Sequence, residues 1–471
     1  MRSYLLSPAL PAAALLFGMV FCLAFAQFAG LRWQQPATIT LYSVLFVWVG
    51  MLAWRQRRLW IRFGMIDALF WAFILLVLVS LAIQGVFSPE AQKYGRYLPF
   101  MAIVPYVCGR LMRPRDVHLL SGIVASAGLV MLILLVIDYW QNAAAYKIYS
   151  RWPFFGHDYA PLLIGALLAG SLIVFYFRSL TGNADSSKPL LRRAANLAAV
   201  SLISVALVWV AARGAMLSGL LGIFCLTLIL RQCSLLKRLM LILYLTGLLA
   251  LSFQFLPQHQ TLLYERLITK PNATFLAESE KISPQQGNPI LGSEKINPQQ
   301  GNPILGSEKI NPQQDGPILG TASCQPFEKG VNSVAIRWVL YREAVAMFMD
   351  RPWWGVGAAS FGRHSCTGVL GYPHSSILQA FAEIGVVGGL LFVGLILASF
   401  VSFFRKAVEV KTAHAIQAVQ LALAWFTMYF VACQISGNYF TDAGFYLLVG
   451  VAAGMQSNLA WTDGVGSSNV G

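Results

Sequence analysis

Apolar runs of about twenty residues recur along this chain from Pro8 to Leu459, separated by short polar breaks and one long one. A helix of that length matches the hydrocarbon thickness of a bilayer. Inside lipid every backbone amide must be satisfied within its own segment, so such runs form helices and not open strands. The chain is 57% hydrophobic and only 11% charged over 471 residues, too apolar for a soluble fold of that size. These features predict an all-α integral membrane protein. The formal charge of +15 is then a matter of distribution about a membrane, and no nucleic-acid partner is expected.

The runs predict about twelve spanning helices, near 9–31, 38–54, 65–86, 97–110, 117–138, 158–177, 194–212, 214–231, 237–256, 385–404, 414–435 and 441–460. The first, from Leu10 to Ala29, lacks a small-residue cleavage site and reads as a retained helix. The fourth is short, and a tilted, broken or partly buried segment fits it as well as a span. Three regions follow: a bundle of nine helices over 1–256, a large loop over 257–384, and three helices over 385–471.

Lysines and arginines set the orientation. One set of alternate short loops carries seventeen: Arg55, Arg57, Arg58, Arg62, Arg110, Arg113, Arg115, Arg178, Lys188, Arg192, Arg193, Arg231, Lys237, Arg238, Arg405, Lys406 and Lys411. The opposite set carries six: Arg32, Lys93, Arg96, Lys147, Arg151 and Arg213. The basic side is expected to be cytoplasmic, with both termini there and the large loop outside.

Among the six outward cations Arg213 stands apart. It lies in Val210-Ala211-Ala212-Arg213-Gly214-Ala215-Met216, between two apolar runs with no polar linker. A charge at membrane depth costs a few kcal/mol and marks a pathway or an anionic ligand. Lys93, Lys147 and Arg32 also fit a plain reading as tolerated loop cations.

The large loop has two characters. Residues 279–320 hold three tandem fourteen-residue units, the first reading Ser279-Glu280-Lys281-Ile282-Ser283-Pro284-Gln285-Gln286-Gly287-Asn288-Pro289-Ile290-Leu291-Gly292. Their prolines and glycines exclude regular helix, and three such units bury little, so an extended insert without chemistry is expected. Ser333 to Asp350 reads as an apolar helix lying on the membrane or against the bundle, with Ser333 as N-cap and Arg351-Pro352 as stop. Arg337 and Arg342 are five positions apart, about 140° around its axis, so they cannot serve one spot. Arg337 shares a face with Tyr341 and Ala344, whereas Arg342 has Glu343 beside it, which makes Arg337 the better ligand.

A Gly-rich turn, Trp353-Trp354-Gly355-Val356-Gly357, follows, a weak phosphate-binding signal by itself. Then comes Tyr372-Pro373-His374-Ser375 through Glu383-Ile384-Gly385, with His374 at the start of a short outer helix. A helix N-terminus favours neutral imidazole, the form that accepts a proton. Bland roles stand beside these. Arg337 can anchor to phospholipid headgroups, His157 and Asp158 can cap the sixth helix, Glu383 can hold a turn, and His259 and His364 read as surface histidines.

Seven cysteines show no metal-ligand spacing. Cys22, Cys108, Cys225, Cys233 and Cys433 fall in or beside helices. Cys324 and Cys366 share the large loop, where a disulfide and two unrelated thiols are equally open.

Taken together, the many spans, the Arg213-Gly214 turn, the large loop, Asn332-Ser333 to Arg337, Pro352-Trp353-Trp354-Gly355-Val356-Gly357 and His374-Ser375 before Glu383-Ile384-Gly385 resemble the O-antigen ligase and polymerase superfamily. The motifs run from about Ala195 to Gly389. The repeat insert departs from the family pattern.

The resemblance implies a membrane glycosyltransferase of the GT-C-like kind, in the bacterial inner membrane with its active site facing the periplasm. It implies an undecaprenyl diphosphate-linked glycan as donor and, for a ligase, lipid A–core oligosaccharide as acceptor. Transfer would be inverting, with no metal and no cofactor. His374 matches the family's histidine, and Arg213 and Arg337 its arginines. Arg151, Lys147 and Arg342 are further candidates for the diphosphate. The chemistry is consistent: guanidinium groups hold phosphate oxygens bidentately, and such donors strengthen as charge develops in a water-poor site. The sibling activities, O-antigen polymerase and protein O-oligosaccharyltransferase, use the same donor. A lipid-linked glycan transporter fits less well, because the suspect charges gather at one face and not at the midplane.

Overall fold

The computed structural model describes residues 7–16, 34–55, 63–83, 89–142, 160–181, 189–210, 213–230, 234–254, 333–365, 371–457 and 461. Residues 9–16 are helical. The elements that follow are α1 (Gln34–Arg55), α2 (Met65–Ile83), α3 (Pro89–Leu98), a π-turn (Pro99–Ile103), α4 (Val104–Leu111) and α5 (Pro114–Asn142). Next come α6 (Ala160–Thr181), α7 (Pro189–Trp209), α8 (Arg213–Ile229), α9 (Leu235–Gln254) and α10 (Ser333–Asp350). The chain closes with α11 (Phe361–His364), α12 (Ser376–Glu409), α13 (Ala413–Ile435) and α14 (Ala443–Ser457).

Among the described residues seven helices are long and apolar enough to cross a membrane, and three apolar helices are shorter. The arrangement is that of an all-helical integral membrane protein. Of the twelve expected spans, the first is described only over 9–16.

The fourth expected span is broken. Pro99 and Pro105 lack the N–H that a continuous helix requires, and the chain passes through a π-turn at Pro99–Ile103. Before the turn, α3 is polar, with Gln92, Lys93 and Arg96 exposed. After it, all eight residues of α4 are buried. Here α4 lies backbone to backbone against α14, since a Cβ on Gly109 would strike the Leu447 carbonyl and one on Gly450 the Tyr106 carbonyl.

Arg110 is also corrected. Read as a loop cation, it is fully buried at the end of α4 and paired with Asp67 of α2. Tyr106 Oη donates to the same carboxylate at 2.6 Å, and the Gly64 amide at 2.8 Å. A charge this deep is tolerated because it is paired and its partner is fully hydrogen-bonded.

The bundle centres on α13, which packs against α5, α6, α8, α12 and α14. Its buried residues run from Ala415 to Cys433. Outside this core α10 forms a second, smaller one: Leu340, Ala344 and Met347 pack on Val356, Phe361 and Ala382. Trp338, Val345 and Met349 on its other side are exposed. The boundary expected at 384/385 falls inside α12, at a kink where Gly385 has φ 75°.

Candidate functional site

Two motifs far apart in sequence lock together at the start of α12. Gly355 has φ 66° and Gly385 φ 75°, conformations that L side chains rarely adopt. A Cβ on Gly355 would collide with the Glu383 backbone, and one on Gly385 with the Trp353 backbone. The approach lets Val356 N donate to Ala382 O at 2.9 Å, Gly357 N to Glu383 O at 2.8 Å and Val386 N to Pro352 O at 2.7 Å.

Buried Glu383 extends the clasp. Its carboxylate accepts from Ala359 N at 3.1 Å, Phe361 N at 3.0 Å, Gln379 Nε2 at 3.3 Å and Tyr439 Oη at 2.7 Å. Ala358 N donates to Ser80 Oγ at 2.9 Å, Gly355 N to Arg351 O at 2.9 Å and Ser360 N to Gly357 O at 3.2 Å. The backbone amides from Gly355 to Phe361 are therefore engaged within the protein. This Gly-rich turn is a structural clasp, and its amides are not free to cradle a phosphate.

The clasp holds α12, and just ahead of α12 stands His374. Ser375 caps the helix by accepting from Leu378 N at 3.4 Å. His374 itself is half-buried, with φ 59° and its ring 4.6 Å from that of Tyr372. Histidine is among the few side chains that tolerate this left-handed backbone.

The C-terminal end of α13 faces this turn. The last carbonyls of a helix have no partner within it. Here two segments, α10 and the stretch from Tyr372 to Ser376, supply partners: Ser376 Oγ donates to Cys433 O at 3.3 Å, Tyr341 Oη to Gln434 O at 3.4 Å and Tyr372 Oη to Ser436 O at 3.5 Å. Burial raises the Tyr341 phenol pKa, and the nearby Arg337 charge opposes that shift.

Arg337 reaches the same place. Its Nη2 donates to Ser436 Oγ at 3.3 Å. One turn on, Tyr341 contacts Gln434, so the shared face expected from helical spacing is the one turned to 434–436. The start of α8 completes the cluster: a Cβ on Gly214 would lie 3.2 Å from Ser436 Oγ. Arg213 is the neighbouring residue and opens α8; its side chain lies outside the described atoms. Arg342 is exposed, on another side of α10, and Glu343 accepts from Ser365 Oγ at 2.6 Å.

The turn between α13 and α14 carries further polar groups. Asp442 accepts from Ser376 Oγ at 3.2 Å, and burial pushes its carboxyl up from 3.8 to about 6. Hydrogen bonds from Cys433, Ser376 and Asn438 oppose that shift. Asn438 Nδ2 donates to Tyr94 Oη at 3.5 Å, and the Tyr94 ring stacks on Phe440 at 4.6 Å. Lys93 is exposed next to it, its Nζ 5.9 Å from the Tyr94 ring centroid. His364, read as a surface residue, is half-buried with Nδ1 2.9 Å from Ser360 O.

One end of the bundle thus brings together His374, Arg337 and the backbone next to Arg213, with Tyr341, Tyr372, Gln434, Ser436 and Asp442 among them. The sequence reading missed Gln434, Ser436 and Asp442, whose signal is the polar break Gln434-Ile435-Ser436-Gly437-Asn438 between two apolar runs. Lys147, Arg151, Arg32, His157, Asp158, His259, Cys22, Cys233, Cys324, Cys366 and the repeats at 279–320 lie outside the described residues.

Residues 198–393 match the family model for O-antigen ligase. The region contains the Arg-Gly turn, the Pro-Trp-Trp-Gly motif and His374-Ser375, so the recognition made from those motifs is borne out. No curated protein matches the chain. The match supports activity of the O-antigen ligase or polymerase type, and with the apolar helices a multi-pass membrane protein.

Proposed function

From the O-antigen ligase match over residues 198–393, we propose that this chain transfers a glycan from undecaprenyl diphosphate to a hydroxyl of lipid A–core oligosaccharide. The reaction takes place at the periplasmic face of the bacterial inner membrane. One observation carries the reading. Arg337 donates to Ser436 Oγ, Gly214 in the first turn of α8 abuts the same serine, and His374 borders the same helix end through Ser375 and Tyr372.

In this mechanism the acceptor oxygen attacks the anomeric carbon from the side opposite the diphosphate. The new C–O bond forms as the sugar–phosphate bond breaks, and inversion follows. His374 takes the proton from the acceptor hydroxyl, a contribution of about 10²–10⁴-fold for a positioned base. The diphosphate leaves with the bonding electron pair, and Arg337 and Arg213 hold the charge it gains. Guanidinium suits this role because it stays charged and binds phosphate through a planar fork. Lys147 and Arg151, which lie between α5 and α6 in the sequence, add positive charge. Arg342 contributes from the rim, as an exposed cation that attracts the anionic donor. No metal or cofactor enters the proposal.

The test is reconstitution. Purified full-length protein is given lipid-linked glycan and either rough lipopolysaccharide or pilin. Transfer to lipopolysaccharide is expected. Transfer to pilin alone, or growth of the glycan on its own lipid carrier, would replace the ligase reading with a sibling activity. Movement of glycolipid across liposomes without bond cleavage would make the chain a transporter.

A further inference from the structure

Gln434 is a residue of the cluster that neither the motifs nor the proposed mechanism use. It stands in the last turn of α13, two positions before Ser436, the serine that Arg337 contacts. Its Oε1 accepts from Ser375 Oγ at 3.1 Å and from the backbone amide of Ile377 at 3.3 Å. An amide N–H can only donate, so the atom facing Ile377 is the oxygen, and the orientation of the side-chain amide is settled. The other end, Nε2, is buried and has no hydrogen-bond partner among the described residues.

A buried donor left unsatisfied is costly, and native folds rarely keep one without a use. The geometry here is also rigid. The oxygen end is held from two directions by the turn that carries His374, so the amide cannot swing away. Gln434 therefore holds its amide against the His374 turn, two positions along the chain from the serine that Arg337 contacts. Resting on the proposed donor, we infer that Gln434 is a ligand-binding residue whose Nε2 donates to a phosphate oxygen of the lipid diphosphate. It adds a neutral, directional donor to the flanking guanidinium groups. Arginine supplies charge, and the glutamine fixes which oxygen is held.

The experiment measures binding of undecaprenyl diphosphate, without glycan, to the full-length protein in a phosphate-free detergent, alongside thermal unfolding. Q434E keeps an acceptor for Ser375 and Ile377 but replaces the donor, and Q434M removes both with no charge to repel a phosphate. S375A removes one strut and leaves the donor. Q434E and Q434M are expected to weaken binding about tenfold or more, the scale of a hydrogen bond to a charged group. S375A is expected to weaken binding less than either Gln434 variant, since the Ile377 amide still holds Oε1. Phosphatidylglycerol serves as the competing source of phosphate, and its weaker binding should be insensitive to all three substitutions.

Wild-type affinity in a folded Q434E overturns the inference. So does a loss of affinity across all three variants in proportion to lost thermal stability, which marks a structural strut. Equal weakening for phosphatidylglycerol shows a general lipid-phosphate contact and also overturns it. Failure of the wild type to bind undecaprenyl diphosphate at all removes the proposed donor, an outcome separate from any result on Gln434.

Discussion

Tyr439 donates its hydroxyl to the Glu383 carboxylate at 2.7 Å, joining the turn between the last two helices to the clasp at the start of α12. The same carboxylate serves three further donors, from the Gly-rich turn and from Gln379. Glu383→Ala leaves four buried donors without an acceptor and should lower stability by about 3 kcal/mol or more. Tyr439→Phe removes one donor and should cost about 1 kcal/mol. Thermal unfolding in detergent reads both, and equal small losses would show that Glu383 is not the hub.

Gly355 and Gly385 should tolerate no side chain. Each has a left-handed φ, and each faces backbone that cannot move aside. Gly355→Ala and Gly385→Ala should each destabilise by about 2 kcal/mol or more, with the double variant well short of additive because one contact is lost in both. A double-mutant cycle on unfolding midpoints gives the coupling. Strict additivity would mean that the two glycines act separately.

How much of this was legible beforehand depends on the range of the interaction. The face of α10 that carries Arg337 and Tyr341 follows from 3.6-residue spacing, and both side chains do turn to one place. The Gly-rich motif and Glu383-Ile384-Gly385 were visible as motifs, but only the fold reveals that each completes the other. Gln434, Ser436 and Asp442 escaped notice because their meaning lies in hydrogen bonds to residues 59 to 99 positions away. Arg110 was misread for a related reason: a loop count sees its charge, whereas its partner Asp67 is 43 residues distant. The broken fourth helix was half legible. Pro99 and Pro105 stand in the sequence, yet a hydropathy window treats proline as merely another weakly apolar residue.

His374 should be tested with two substitutions, because its backbone is left-handed. Alanine there adds strain of about 1 kcal/mol, whereas asparagine tolerates the conformation. His374→Asn should leave the unfolding midpoint near wild type and reduce transfer by about 10²–10⁴-fold. Donor binding should persist in both variants. Full transfer by a folded His374→Asn would end the base assignment.

Arg337 and Arg213 should behave as a pair with different sensitivities. Arg337→Ala also loses the contact to Ser436, so it should weaken donor binding and slow transfer together. Lysine at either position should restore activity only in part, since one ammonium cannot reproduce the fork. Initial rates at several donor concentrations separate the two effects. Complete rescue by Arg213→Lys would reduce that residue to a point charge.

Asp442 ties part of the stability to pH. Burial raises its carboxyl from 3.8 to about 6, so the folded state binds the proton more tightly than the unfolded chain. Its contribution is present in full below about pH 4 and is lost as the pH rises through about 6. The sign is opposite to that of a carboxylate stabilised in an ion pair. Asp442→Asn cannot ionise and keeps an amide that can hydrogen-bond to Ser376. The variant should therefore flatten the fall in unfolding midpoint between pH 4 and pH 6 and gain relative to wild type at pH 7. A fall unchanged from wild type would mean that folding does not shift the Asp442 carboxyl, and a steeper fall in the variant would mean that folding lowers it.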